Sequence, residues 1–144
     1  SAVCEGRGER LTPLTLPPMH FVIAVSGEYV STPTAYAELD RLYAGFDGTV
    51  PTAGGEAYAA FSAAAQEKRS IAPYLYNIFE SAVLPKIPKA AELKERLSTL
   101  GAAGVLMSGS GSAVYGIFPD GESAESAEKA LREEGFSAYA VQSV

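Results

Sequence analysis

The sequence is poor in the residues that most enzyme chemistry uses. Its 144 residues include one histidine, one cysteine and no tryptophan. Cys4 alone cannot close an intramolecular disulfide, and no secretory leader is read at the start, so a reducing cytoplasm is the expected setting. His20 opens an apolar run and has no second base beside it, which leaves a Ser-His or Cys-His nucleophile system without candidates. One cysteine and one histidine cannot supply three or four good zinc ligands, so neither a catalytic residue nor a metal site is assigned. Positive charge is scarce as well. Eleven Lys and Arg stand against seventeen Asp and Glu, a net charge of −6, and no basic stripe exists to displace counterions from a nucleic acid. The densest basic stretch, Lys86, Lys89, Lys94 and Arg96, is interrupted by Glu92 and Glu95 and reads as a solvated helix face. Apolar runs are too short to span a bilayer. Neither nucleic acid nor membrane is expected as a partner.

What is present is an ordinary globular composition, 47% hydrophobic, of a length suited to one domain. Residues 1–18 are rich in Gly and Pro, with Leu11, Leu14 and Leu16 alternating, and read as a loop or an edge strand. Phe21, Val22, Ile23 and Val25 predict a strand over 20–25. Ser31 or Thr32 can cap a helix that Pro33 opens and that carries Tyr36, Leu39 and Tyr43 at helical spacing. A loop over 46–55 precedes a second helix over 56–66, with Tyr58, Phe61 and Ala65 on one face. A third helix is predicted over 73–84, capped by Ser70 and stopped by Pro85. A fourth opens at Pro88 with Leu93, Leu97 and Leu100 as its buried stripe and Gly101 at its end. Strands over 104–107 and 113–118 follow, then a turn at Asp120-Gly121, a helix over 123–134 and a strand over 136–141. This order predicts an α+β split β-α-β (ferredoxin-like) sandwich: a four-stranded antiparallel sheet with helices packed on one side.

Two clusters carry the chemistry. Ser108, Gly109, Ser110, Gly111 and Ser112 join two buried strands. They read either as a backbone cradle for an anionic group, with Ser110 and Ser112 as extra donors, or as a plain glycine-rich hairpin connection. No Gly-Lys-Ser/Thr follows, so this is not a Walker A loop, and no helix follows to make a dinucleotide fingerprint. In Val30-Ser-Thr-Pro-Thr-Ala-Tyr36 the free N–H groups of a helix start, the hydroxyls of Ser31, Thr32 and Thr34, and an aromatic ring can hold a polar ring-bearing ligand. The same residues also make a good helix start with Tyr36 in the core.

These clusters occur in one order with Cys4-Glu-Gly-Arg-Gly-Glu-Arg-Leu-Thr-Pro-Leu14 ahead of them and Leu75-Tyr-Asn-Ile-Phe-Glu80 between. The set resembles, over essentially the whole chain, the C-terminal half of a GHMP-superfamily kinase. It is similar in particular to the bacterial and plastid branch whose substrate is 4-diphosphocytidyl-2-C-methyl-D-erythritol, a cytidine-diphosphate methylerythritol. The resemblance implies transfer of the γ-phosphoryl of ATP to the 2-hydroxyl of that substrate, in non-mevalonate (MEP) isoprenoid biosynthesis in the bacterial cytoplasm. It implies a two-domain enzyme with its active site in the cleft, residues 1–18 being the tail of the N-terminal domain or a linker, and 19–144 the C-terminal domain. Ser108, Gly109, Ser110, Gly111 and Ser112 would then be the third glycine-rich motif near the phosphates. Thr32 and Thr34 would lie beside the substrate, Tyr36 would stand against the cytosine, and Asn77 and Glu80 would serve structure.

The family's ATP loop, catalytic Lys and Asp, and cytosine-reading His belong to the N-terminal half and have no counterpart here. ATP and Mg²⁺ are therefore expected for the whole enzyme and neither for this chain alone, which is expected to be inactive. The start at Ser1, inside a motif and without Met, fits a piece of a longer protein. Such a piece is expected to expose the apolar face that its partner domain covers, and to self-associate there. Two alternatives stay open: a free-standing ligand- or partner-binding module, and the C-terminal half of another GHMP kinase, such as a mevalonate-pathway or homoserine enzyme.

Overall fold

A computed structural model describes residues 2–45, 55–67 and 69–143, the side chains of 55–58 excepted. The expected loop over 46–55 (but for Gly55) and the Tyr58 side chain lie outside the described residues. Within residues 1–18, β1 (Ala2–Glu5) and β2 (Arg10–Pro13) form an antiparallel hairpin, with Leu11 62% exposed.

The main sheet holds β3 (His20–Val25), β4 (Gly104–Met107), β5 (Val114–Phe118) and β6 (Ser137–Gln142) in the order β4-β5-β3-β6, antiparallel at each pairing. Alternate strand residues point to opposite faces. Val22, Ala24, Val114, Phe118 and Ala138 meet Ala90, Leu93 and Leu97 of α4 (Pro88–Thr99) and Ala124, Ala127 and Leu131 of α5 (Gly121–Glu133). The three-and-four spacing puts each helix trio on one stripe, and the alanines let α5 lie close to the sheet. This is the expected four-stranded antiparallel sheet, with α4 and α5 packed together on one side.

Among the described residues, the other sheet face is covered at one end. There Phe21, Tyr115 and Ile117 pack with Leu14, Leu16 and Met19 and with Phe61, Ala64 and Ala65 of α2 (Gly55–Gln66). Across the rest of that face, Ile23, Tyr139 and Val141 stay 38%, 52% and 41% exposed.

Two sequence-based boundaries change. Asp120 and Gly121 do not form a separate turn: Asp120 is the N-cap of α5, and its Oδ1 accepts the Ser123 N–H at 2.8 Å. The predicted helix over 73–84 is broken. A 3₁₀ turn, Ala72–Tyr74, runs into extended Leu75 (φ −67°, ψ 131°), α3 covers only Phe79–Val83, and a second 3₁₀ turn spans Leu84–Lys86. The Asn77 side chain binds backbone in and beyond β4, so the chain extends to bring it there. The basic stretch also does more than face solvent. Lys86 pairs with Glu38, Lys94 with Glu80 and Arg96 with Glu134, each joining two elements.

Candidate glycine-loop site

Residues 108–112 close a tight connection between β4 and β5. The Ser108 N–H donates to the Ala113 carbonyl at 2.8 Å and the Gly111 N–H to the Ser108 carbonyl at 2.9 Å. Gly109 and Gly111 have φ of 54° and 85°, a region that side chains disfavour. The N–H groups of Gly109, Ser110 and Ser112 have no acceptor among the described residues. Three amides in one short loop are the raw material of an anion cradle.

The N-terminus of α1 (Thr32–Leu42) meets this loop. Ser31 is its N-cap and is extended, but no side chain caps the helix. The Thr32 hydroxyl instead shares a 2.8 Å hydrogen bond with the Ser110 hydroxyl, 78 residues away. Tyr36 is one helical turn on from Thr32 and so on the same face. Its ring packs edge-to-face against Phe79 at 4.9 Å, while Tyr36 stays 56% exposed. The Phe79 N–H is held by Asn77, which also holds the Gly109 carbonyl. Loop, threonine and aromatic thus form one contiguous wall.

The remaining sequence-assigned residues divide. Thr34 is two residues from Thr32, about 200° around the helix, and lines a separate cavity of 270 Å³ with Tyr29, Val30, Glu38, Val83 and Lys86. The Ser112 hydroxyl is buried: it donates to the Glu28 carbonyl and accepts from the Ser26 hydroxyl at 2.7 Å. Its bonding capacity is engaged inside the protein; Ser110 and Thr32 face each other at the loop surface, while exposed Ser108 lines a different hollow with Ile23, Tyr115 and Val141. Phe79 was not singled out from the sequence, since nothing local pairs it with a ring 43 positions earlier.

Glu38, at the second cavity, sits between Arg41 and Lys86, each at 2.5 Å. Hydrogen bonds from Arg41 and then Lys86 lower its pKa to about 2. A carboxylate held below its ordinary value contributes stability above that value and loses it as pH falls toward the folded one. The contribution is therefore expected to be complete above pH about 4.5 and to fade toward about 2. Carboxyl ¹³C titration should show a Glu38 midpoint near 2 that rises in Lys86→Ala; an unmoved midpoint would contradict the pairing.

Among the described residues, no group of three or more His, Cys, Asp or Glu side chains could hold a metal ion, and no helix is long and apolar enough to cross a membrane.

An antiparallel sheet backed by two helices, with a glycine-serine loop facing a helix start, defines the C-terminal domain of a class of small-molecule kinases. Residues 57–137 match the family model "GHMP kinases C terminal", and the chain belongs to that family. Within it, the chain is 42% identical over 127 residues to 4-diphosphocytidyl-2-C-methyl-D-erythritol kinase of Gloeobacter violaceus, covering 87% of this chain and 41% of that protein. The corresponding enzyme of Syntrophotalea carbinolica is 35% identical over 145 residues, covering 99% and 48%. A crystal structure of 4-(cytidine 5'-diphospho)-2C-methyl-D-erythritol kinase superposes with a TM-score of 0.76 at 33% identity, over 98% of this chain and 48% of that one. Homoserine kinase from Cytophaga hutchinsonii, at 17% identity and a TM-score of 0.64, shares the fold. The chain spans a little under half the length of these relatives.

Proposed function

We propose that this chain is the substrate-side half of a kinase that phosphorylates the 2-hydroxyl of a cytidine-diphosphate methylerythritol. The observation that carries the reading is the Thr32–Ser110 hydrogen bond. It joins the helix start to the glycine loop, so hydroxyls, free loop amides and an exposed tyrosine share one wall. Such a wall suits a nucleoside diphosphate: amides and hydroxyls face the phosphates and Tyr36 offers a face to the base. The similarity to bacterial enzymes of that name supports the substrate class and a bacterial setting.

In this reading the catalytic groups, ATP and Mg²⁺ belong to the other half of the enzyme, the hairpin of 1–18 is the tail of the preceding domain, and 19–144 is the domain itself. The open sheet face around Ile23, Tyr139 and Val141 is where that other half, or a second copy, would dock. Thr34 lies away from the loop and serves the substrate only if the ligand reaches around α1.

Titration of the chain with CDP, followed by ¹⁵N NMR, is expected to move the amide signals of Gly109 and Ser110. Tyr36→Ala should weaken binding about tenfold, the scale of one aromatic pair. A coupled assay should detect no ATP turnover by the chain alone. Binding indifferent to Tyr36, or turnover by the isolated chain, would refute the reading.

A further inference from the structure

The glycine loop and Met107, the strand residue just before it, are gripped by two side chains. Asn77 Nδ2 donates to the Met107 carbonyl at 2.7 Å and to the Gly109 carbonyl at 2.8 Å, while Oδ1 accepts the Phe79 N–H at 3.0 Å. Glu80 Oε1 accepts the Met107 N–H at 2.9 Å, and its other oxygen pairs with Lys94. β4 lies at the edge of the sheet, so the outward N–H and C=O of Met107 have no neighbouring strand. Glu80 and Asn77 stand in for one.

The grip has a directional consequence. In a trans peptide the C=O and the following N–H point in opposite directions. Pulling the Met107 carbonyl toward Asn77 sends the Ser108 N–H the other way, onto the Ala113 carbonyl, where it is found. By the same geometry, pulling the Gly109 carbonyl toward Asn77 turns the Ser110 N–H away from it, to the side where its amide has no acceptor among the described residues. The same Asn77 fixes the Phe79 N–H, and with it the ring against which Tyr36 packs.

We infer that Asn77 and Glu80 are positioning residues that aim the Ser110 N–H at a ligand phosphate and tie the loop to the Tyr36 wall; the ligand part rests on the functional reading above. Asn77→Asp separates the loop-facing bonds from the helix-facing one. It keeps an oxygen for the Phe79 N–H but sets a carboxylate against two carbonyl oxygens. Glu80→Gln keeps the acceptor for the Met107 N–H, and Glu80→Ala removes it.

Amide hydrogen exchange on the whole chain tests the grip without any ligand. Asn77→Asp is expected to speed exchange at Ser108 and Gly111 at least about tenfold, with β3 and β5 unchanged. Glu80→Ala should do the same more weakly, and Glu80→Gln should restore native rates. Unchanged loop exchange, or faster exchange spread evenly over the sheet, would overturn the inference. Titration with pyrophosphate tests the aim: Asn77→Asp should bind about tenfold more weakly than the native chain. Equal affinity would defeat the positioning role. Absence of binding by the native chain would overturn the ligand reading and the aimed amide with it, while the exchange data still judge the grip.

Discussion

Gly111→Ala is expected to wreck the glycine loop and to abolish CDP binding at concentrations that saturate the native chain. Two effects act together. At φ 85° an alanine is strained, at a cost of about 1–3 kcal/mol. Its Cβ would also stand 2.7 Å from Met107 Sδ and 3.3 Å from Val83 Cγ1. Met107 and Val83 are 1% and 4% exposed, so neither can swing into solvent, and overpacking adds about 1–3 kcal/mol. Gly109 is the control. Its φ is 54° but nothing lies within 4 Å of an added Cβ, so Gly109→Ala should carry only backbone strain, about 1–2 kcal/mol. Urea melts of the two variants check this, and equal losses would mean that packing beneath Gly111 contributes nothing.

Leu97→Ala is expected to be the most destabilising truncation of the core, lowering stability by about 2–5 kcal/mol. Leu97 is fully buried between α4 and the sheet, and its Cδ2 lies 3.4 Å from where a Cβ on Gly116 would stand. The leucine fills space that glycine leaves empty. Ala90, Ala124, Ala127 and Ala138 of the same cluster are too short to swing into the vacated space. A domain of this kind has about 5–15 kcal/mol in total, so the midpoint of unfolding should fall far. Leu11→Ala, on the exposed hairpin, should change stability by less than about 0.5 kcal/mol. A Leu97→Ala loss as small as that would mean α4 is not closely packed on the sheet.

Helices α4 and α5 and strands β3, β5 and β6 were legible because each carries a strong period. Leu93 and Leu97 recur at helical spacing over a stretch bounded by Pro88 and Gly101, and no competing contact draws the backbone elsewhere. The segment over 73–84 was not legible in the same way. Its residues favour a helix locally, yet Asn77 finds three backbone partners, two of them on residues 30 and 32 positions away. Long-range hydrogen bonds of a polar side chain outweighed a few residues of helix propensity. Asp120 misled for a smaller reason: Asp-Gly suits both a turn and a cap, and only the following Ser123 N–H decides which.

The candidate site divides along the same line. From the sequence alone came the sheet order's ingredients, the glycine-serine loop, the helix start, and the resemblance joining them to a kinase family. Periodicity and turn chemistry are local, so they determine which face of an element is buried and where the chain must bend. They do not determine which faces meet. Only the tertiary structure brought Thr32 to Ser110, turned Thr34 toward another cavity, buried the Ser112 hydroxyl against Ser26 and Glu28, and set Asn77 under the loop. Each of those outcomes depends on strand register and helix rotation, which the whole core sets at once and no short stretch of sequence encodes.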